Sequence, residues 1–203
     1  MSSKTTRACV AAAATATVVA ALPAAAEAAP TPSIGCKLGG ANQTWNYNSY
    51  GIGRNMSAVY AAAEAASMWS NATDINFTIA NYGYKVNVDM IDLQAWPYSR
   101  AANVAGLVPG GICSNGVRQG EVAVLGDTEY FNRASYDMMK QVMLHEFGHA
   151  IGLGHNDATS GECSPGVPKP VSVMHSRIES QVSATCGPLA PAADDITTVN
   201  NLY

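Results

Sequence analysis

Charge is scarce in this sequence, and what there is forms no blocks. Lys and Arg number 11 against 15 Asp and Glu, charged residues make up 13%, and the formal net charge is -4. Binding to nucleic acid needs a basic stripe that neutralises phosphates, and this composition supplies none. Internal repeats and heptads are also missing, which excludes solenoids and coiled coils. Histidine is rarer still, with four in 203 residues. Beyond the first thirty residues no apolar run approaches the roughly 20 residues that a helix needs to cross a bilayer, so no membrane span is expected. What is present, 48% hydrophobic residues, is enough to bury one core in a single domain.

The N-terminus has its own character. Lys4 and Arg7 precede an apolar, alanine-rich run from Ala8 to Leu22, and a small-residue stretch ends in Ala26-Glu27-Ala28. A cationic start, a short apolar segment and an A-x-A site make a secretory signal, with cleavage expected after Ala28. Residues 1–28 are therefore read as a signal peptide and 29–203 as one secreted, extracellular domain. Cys9 leaves with the signal, and Cys36, Cys113, Cys163 and Cys186 remain. An even number of cysteines in an oxidising setting points to disulfides. Of the three possible pairings, Cys36 with Cys113 and Cys163 with Cys186 is favoured, because the second pair brackets one local segment.

From Pro30 to about Gly53 the chain is rich in Pro, Gly, Asn and Ser, which suggests an irregular arm or short strands. Ser57 to Ser70 predicts an amphipathic helix, with Met56, Val59, Tyr60, Ala63, Ala66 and Trp69 at helical spacing and Ser57 or Asn55 near its start. Ile75 to Ala80 and Lys85 to Leu93 read as strands that pair with each other beneath that helix. Ala102 to Val108 and Glu121 to Leu125 are further strands, separated by a Gly- and Asn-rich loop holding Cys113. Met138 to Ile151 predicts a helix with Asp137 as N-cap and Gly152 as terminator. A last short helix is expected near Asp194 to Tyr203.

Three of the four histidines fall in one segment, His145-Glu146-Phe147-Gly148-His149 continuing to Gly152 and His155. On a helix, residues four apart share a face, so His145 and His149 can reach one ion. Gly152 can adopt the left-handed conformation that turns the chain back and returns His155 as a third ligand. Three neutral imidazoles leave zinc its double charge and an open position for water, whose pKa the metal lowers. Glu146, next to a ligand but off the metal, is placed to act as general base and then as proton donor. A bare H-E-x-x-H occurs by chance; the eleven-residue form with both the glycine and the third histidine is far more restrictive.

On these residues the sequence resembles the metzincins, whose zinc-binding consensus HEFGHAIGLGH matches at every defined position. Ser172-Val173-Met174-His175 is similar to their methionine turn, which implies that Met174 packs under the histidines without coordinating. Within the metzincins the nearest resemblance is to the matrixins. Ala105-Gly106-Leu107-Val108-Pro109-Gly110 is similar to their substrate-binding edge strand, and Asp194-Asp195-Ile196 with Leu202-Tyr203 to their closing helix. The resemblance covers about Ser57 to Tyr203. It implies that a substrate peptide adds as a strand along residues 102 to 108.

Departures accompany it. The histidines of the matrixins' structural zinc site are absent, and there is neither a long pro-segment nor a cysteine-switch motif. Asn156 stands where astacins carry a glutamate after the third histidine, and Ser176 where they carry a metal-assisting tyrosine, although Ser-Val-Met-His resembles their turn. His175 is read as a hydrogen-bonding or surface residue. Asp89, Asp92, Asp127 and Glu129 have the chemistry to bind calcium, but no regular calcium loop is present, and solvated turns are the better reading.

The expected fold is α+β, a metzincin-type catalytic domain. It has a twisted, mainly parallel sheet with an antiparallel edge strand, an active-site helix behind it and a small C-terminal subdomain. The expected function is that of a secreted, monomeric, zinc-dependent endopeptidase acting on protein or peptide substrates, with Glu146 as general base and one catalytic zinc. The alternatives are a secreted zinc-binding protein without turnover, and a narrow-specificity processing protease or toxin.

Overall fold

A computed structural model describes residues 30–49, 55–93, 104–157, 172–176 and 190–203. The signal segment and the Cys163–Cys186 pair lie outside these residues. In chain order the elements are β1 (Asn42–Tyr47), α1 (Met56–Ala72), β2 (Asn76–Ile79), β3 (Val86–Ile91), β4 (Gly106–Leu107), β5 (Cys113–Ser114), β6 (Val117–Arg118), β7 (Val122–Asp127), α2 (Thr128–Arg133), α3 (Tyr136–Ile151) and α4 (Ala193–Leu202). The fold is α+β, as expected.

Five strands form one sheet in the order β2-β1-β3-β7-β4. The first three pairings are parallel, and β4 closes the edge antiparallel to β7 through Gly106 opposite Gly126 and Leu107 opposite Leu125. One expectation needs correction. Residues 76–79 and 86–91 do not pair with each other; they flank β1, which came from a stretch read as arm or short strands. The reason is burial. Trp45 on β1 is buried and meets Phe147 of α3 edge-on at 5.9 Å, while Phe77 of β2 reaches the same ring at 5.2 Å. One buried tryptophan among polar neighbours is a weak strand signal, but it is enough to anchor an interior strand once α3 lies over it.

α1 starts at Asn55, whose side chain accepts from the Ala58 N–H at 3.1 Å. Its buried face, Ala58, Val59, Ala61, Ala62, Ala65, Ala66 and Trp69, is mostly alanine. Short side chains let α1 lie close along α3, and Trp69 Nε1 donates to the Leu144 carbonyl at 2.9 Å. Met56 and Tyr60, expected on that face, are exposed. α3 begins two residues earlier than expected: Ser135, not Asp137, is its N-cap, accepting from the Met138 N–H. Asp137 sits in the first turn instead, where negative charge suits the helix dipole.

The Cys113 loop is a hairpin, with Asn115 and Gly116 both at positive φ, 51° and 74°. Asn-Gly is the pair that a two-residue hairpin turn of this kind favours. Cys36 and Cys113 form the favoured disulfide, with Cα atoms 6.0 Å apart. The bridge ties residues 30–38 to the hairpin, and the same segment runs beside the end of α3, where Ser33 bridges Leu153. No helix among the described residues is long and apolar enough to cross a membrane.

Candidate metal centre

α3 carries a run of buried residues from Gln141 to Gly148, then Ala150 and Ile151, so His145 and Glu146 are held inside packed protein. The helix ends where the sequence predicts. Gly152 has φ 111° and ψ 13°, and its N–H reaches back to the carbonyls of Gly148 and His149. A Cβ there would lie 3.1 Å from the Cys36 carbonyl oxygen, so glycine is required by conformation and by the neighbouring arm alike. The arm holds the return of the chain: Ile34 N–H donates to Gly152 O at 2.9 Å, and Gly154 N–H to Pro32 O at 2.6 Å.

That return brings His155 to the other two. The ligand atoms of His145, His149 and His155 all lie within 4.8 Å of one another. His149 Nε2 and His155 Nε2 are 3.1 Å apart, close to the roughly 3.3 Å edge of a tetrahedron with 2.0–2.1 Å metal–nitrogen bonds. Nδ1 of His145 donates to Val173 O at 2.8 Å, and Nδ1 of His149 to Leu153 O at 2.8 Å. Backbone carbonyls thus fix both tautomers with Nε2 unprotonated and turned inward, as metal-binding imidazoles require. Burial, with the neighbouring imidazoles, pushes the pKa of His145 down to about 3, and burial lowers that of His149 to about 4. Both rings are neutral at ordinary pH, and the three-histidine group suits zinc.

Glu146 is buried, and its Oε2 has no hydrogen-bond partner. Burial raises its pKa to about 8. It lines a cleft of about 520 Å³ together with the three histidines, Gly106, Val108, Arg118 and Ser176. β4 comes so close that a Cβ on Gly106 would fall 2.7 Å from Glu146 Cγ and Oε1. The glycine leaves room for the carboxylate, a role that its place in the Ala105–Gly110 stretch did not disclose.

Met174 is fully buried with its thioether against Gly148, where a Cβ would meet Sδ at 2.2 Å. The turn carrying it hangs from Asp195, a fully buried carboxylate in α4. Asp195 Oδ1 accepts from Thr31 Oγ1 and Ser172 Oγ, both at 2.5 Å, and Oδ2 from the N–H groups of Val173 and Ala192, both at 3.0 Å. Asn156, next to His155, donates through Nδ2 to Asp194 Oδ2 at 2.6 Å and to Thr31 Oγ1 at 3.0 Å. Sequence reasoning assigned no role to Asp194, Asp195 or Thr31. A carboxylate pair at a helix start is the one local signal, and it reads first as dipole complement. His175 is 8% exposed, with Nδ1 at 3.8 Å from Asp157 Oδ1.

The acidic residues considered for calcium have other partners. Asp127 caps α2 through Tyr130 N–H and accepts from Leu93 N–H, Asp89 accepts from Asn48 Nδ2 and Met90 N–H, and Glu129 pairs with Arg133.

The family profile described as Matrixin matches residues 41–203. No curated protein matches the chain significantly. The match covers the sheet, the histidine helix, the methionine turn and α4, and with it the chain belongs to the matrixins, a family of metallopeptidases.

Proposed function

We propose that this matrixin is a secreted zinc-dependent endopeptidase that works as a monomer on peptide segments of other proteins, with His145, His149 and His155 holding one zinc and Glu146 as general base. The observation that carries the reading is a buried carboxylate with an unpartnered oxygen on the floor of an open cleft, beside three convergent imidazoles. A zinc-storage protein has no use for a desolvated acid at that place.

When bound, zinc supplies Lewis acidity that lets a water lose its proton near neutral pH and polarises the scissile carbonyl. The other tasks fall to the chain. β4 uses one edge for β7 and turns the other to the cleft, where an extended peptide adds as a strand and its scissile bond is aligned by backbone hydrogen bonds. Glu146 accepts the proton of the attacking water and delivers it to the departing amine. Burial suits the first half of that cycle, because a desolvated carboxylate is a stronger base than one in water. Met174 against Gly148 and the two carbonyl-anchored imidazoles keep the floor rigid while this happens.

The test is cleavage of an unbiased peptide mixture by the purified protein, with and without a zinc chelator, next to Glu146→Ala. The expected result is chelator-sensitive cuts at internal bonds, and a loss of at least about a thousand-fold in the variant with its zinc content unchanged. A variant as active as the parent would overturn the role of Glu146, and no chelator-sensitive cleavage would favour a zinc-binding protein without turnover. Residues 1–28 are the proposed export signal; protein recovered from the medium should begin at Ala29.

A further inference from the structure

The hairpin that the disulfide pins carries a cation into the cleft. Arg118 pairs with Cys113 across the hairpin, its N–H donates to Lys37 O at 2.8 Å, and its own carbonyl accepts from Lys85 Nζ at 3.0 Å. Its backbone is therefore fixed on three sides. The side chain is 5% exposed, yet it lines the same cleft as Glu146, His149 and His155.

A guanidinium brings five N–H donors and a full charge. Nη2 donates to the His149 carbonyl at 3.1 Å, Nε is buried with no partner, and among the described residues Arg118 makes no ion pair. The end of α3 offers about half an elementary negative charge in return. Among the described residues no carboxylate balances the rest. A buried charge without its counter-ion costs several kcal/mol, and a neutral amide would have served the His149 carbonyl at much lower cost. The fork is thus arranged for an anion that arrives from outside.

We infer that Arg118 is a specificity-determining residue that receives a carboxylate side chain, Glu or Asp, of the substrate, on the N-terminal side of the bond cut. This rests on the peptidase reading above. The side is set by strand direction. β4 runs towards Val108 and Gly110 and so to the hairpin, and a peptide added antiparallel to β4 has its N-terminal residues at that end. Ile34, half-exposed in the same cleft, offers an apolar wall for the methylenes that carry the carboxylate. Two parallel N–H···O bonds from a guanidinium to a carboxylate give geometric selectivity as well as charge.

The experiment starts from a peptide that the zinc-loaded protein cleaves and places Glu or Gln, then Asp or Asn, at each of four positions before the cut and three after it. The expected result is a preference in kcat/KM of about ten-fold or more for the acid at one position before the cut. It should fall to within about two-fold in Arg118→Gln, read as the ratio of kcat/KM between the acid and amide peptides in the same variant. Arg118→Lys, which keeps the charge without the fork, should retain part of the preference. The inference is overturned if no acid is preferred before the cut, if the preference survives Arg118→Gln, or if that change slows all peptides equally, the mark of a purely structural contact. Should Arg118→Gln fail to fold, Arg118→Lys decides by the same ratio. If nothing is cleaved, the peptidase reading fails by itself. The same peptide pairs are then compared for binding to zinc-loaded Glu146→Gln, where equal affinity overturns the role of Arg118.

Discussion

The floor and the rim of the cleft are built on different principles. The floor, from Val142 to Ile151 with Met174 and Asp195 beneath it, is almost entirely buried; His145 and His149 are held by backbone carbonyls, and the methionine turn by one carboxylate. The rim is made of short pieces: two residues of β4, a two-residue hairpin and a segment held by isolated bridges and one disulfide. Ile34 on the rim is 46% exposed. Chemistry needs positions good to fractions of an ångström, which packed helices supply, whereas selectivity needs surfaces that differ between relatives, which loops supply. Changes to the floor should therefore register in stability and turnover, and changes to the rim in substrate choice.

The largest effect is expected at Glu146 in the metal-free protein. Its folded pKa of about 8 stands above the ordinary carboxylate value of 4.5. The folded state then keeps a proton that the unfolded state releases between those values, so the parent loses stability as pH rises through this window. Metal-free Glu146→Gln has no such term. It should be more stable than the metal-free parent at pH 8, by up to about 4 kcal/mol on 1.4 kcal/mol per pH unit, and the gap should close towards pH 4.5. Denaturant melts across that range check it, and a gap independent of pH contradicts it.

Next comes Asp195→Ala, which removes the carboxylate that accepts from two hydroxyls and two backbone N–H groups. A loss of about 3 kcal/mol, seen as a fall in Tm of roughly 10 °C, is expected. A change within 1 °C would show that the floor does not depend on α4. Gly106→Ala tests a point where rim meets floor. The new methyl pushes on Glu146, and kcat should drop by about ten- to a hundred-fold with zinc content intact. Smallest is Ile34→Ser on the rim itself. KM for extended peptides should rise by about two- to five-fold while the Tm barely moves. If its stability falls as far as that of Asp195→Ala, the division between floor and rim is mistaken.

How much of this was legible in the sequence follows the same division. The histidine pair, Glu146 and Gly152 lie within one helix and its end, so residue spacing alone fixes their relation. The mainly parallel sheet with its antiparallel edge was also legible, as was one of the two favoured disulfides. What escaped depends on contacts distant in the chain. Thr31 meets Asp195 across 164 residues, and Arg118 reaches His149 across 31. Gly106 is an absence of side chain whose purpose appears only when Glu146 stands opposite. β1 was hidden for a related reason, since its place inside the sheet is decided by Phe147 a hundred residues on. Asp137 failed as N-cap because Ser135, two residues earlier, is an equally good cap and lengthens the helix.

The hydrogen bonds of Asp195 also impose an order in time. A ribosome releases His145, Glu146, His149 and His155 about forty residues before the carboxylate that steadies the turn beneath them. Until residues 193–202 have emerged and folded back as α4, Ser172 and Val173 lack the Asp195 acceptor, and the methionine turn is without its tie to that helix. A half-made chain would hold the ligands without the platform. The support that α4 gives the methionine turn is thus completed only after the three histidines above it have been made.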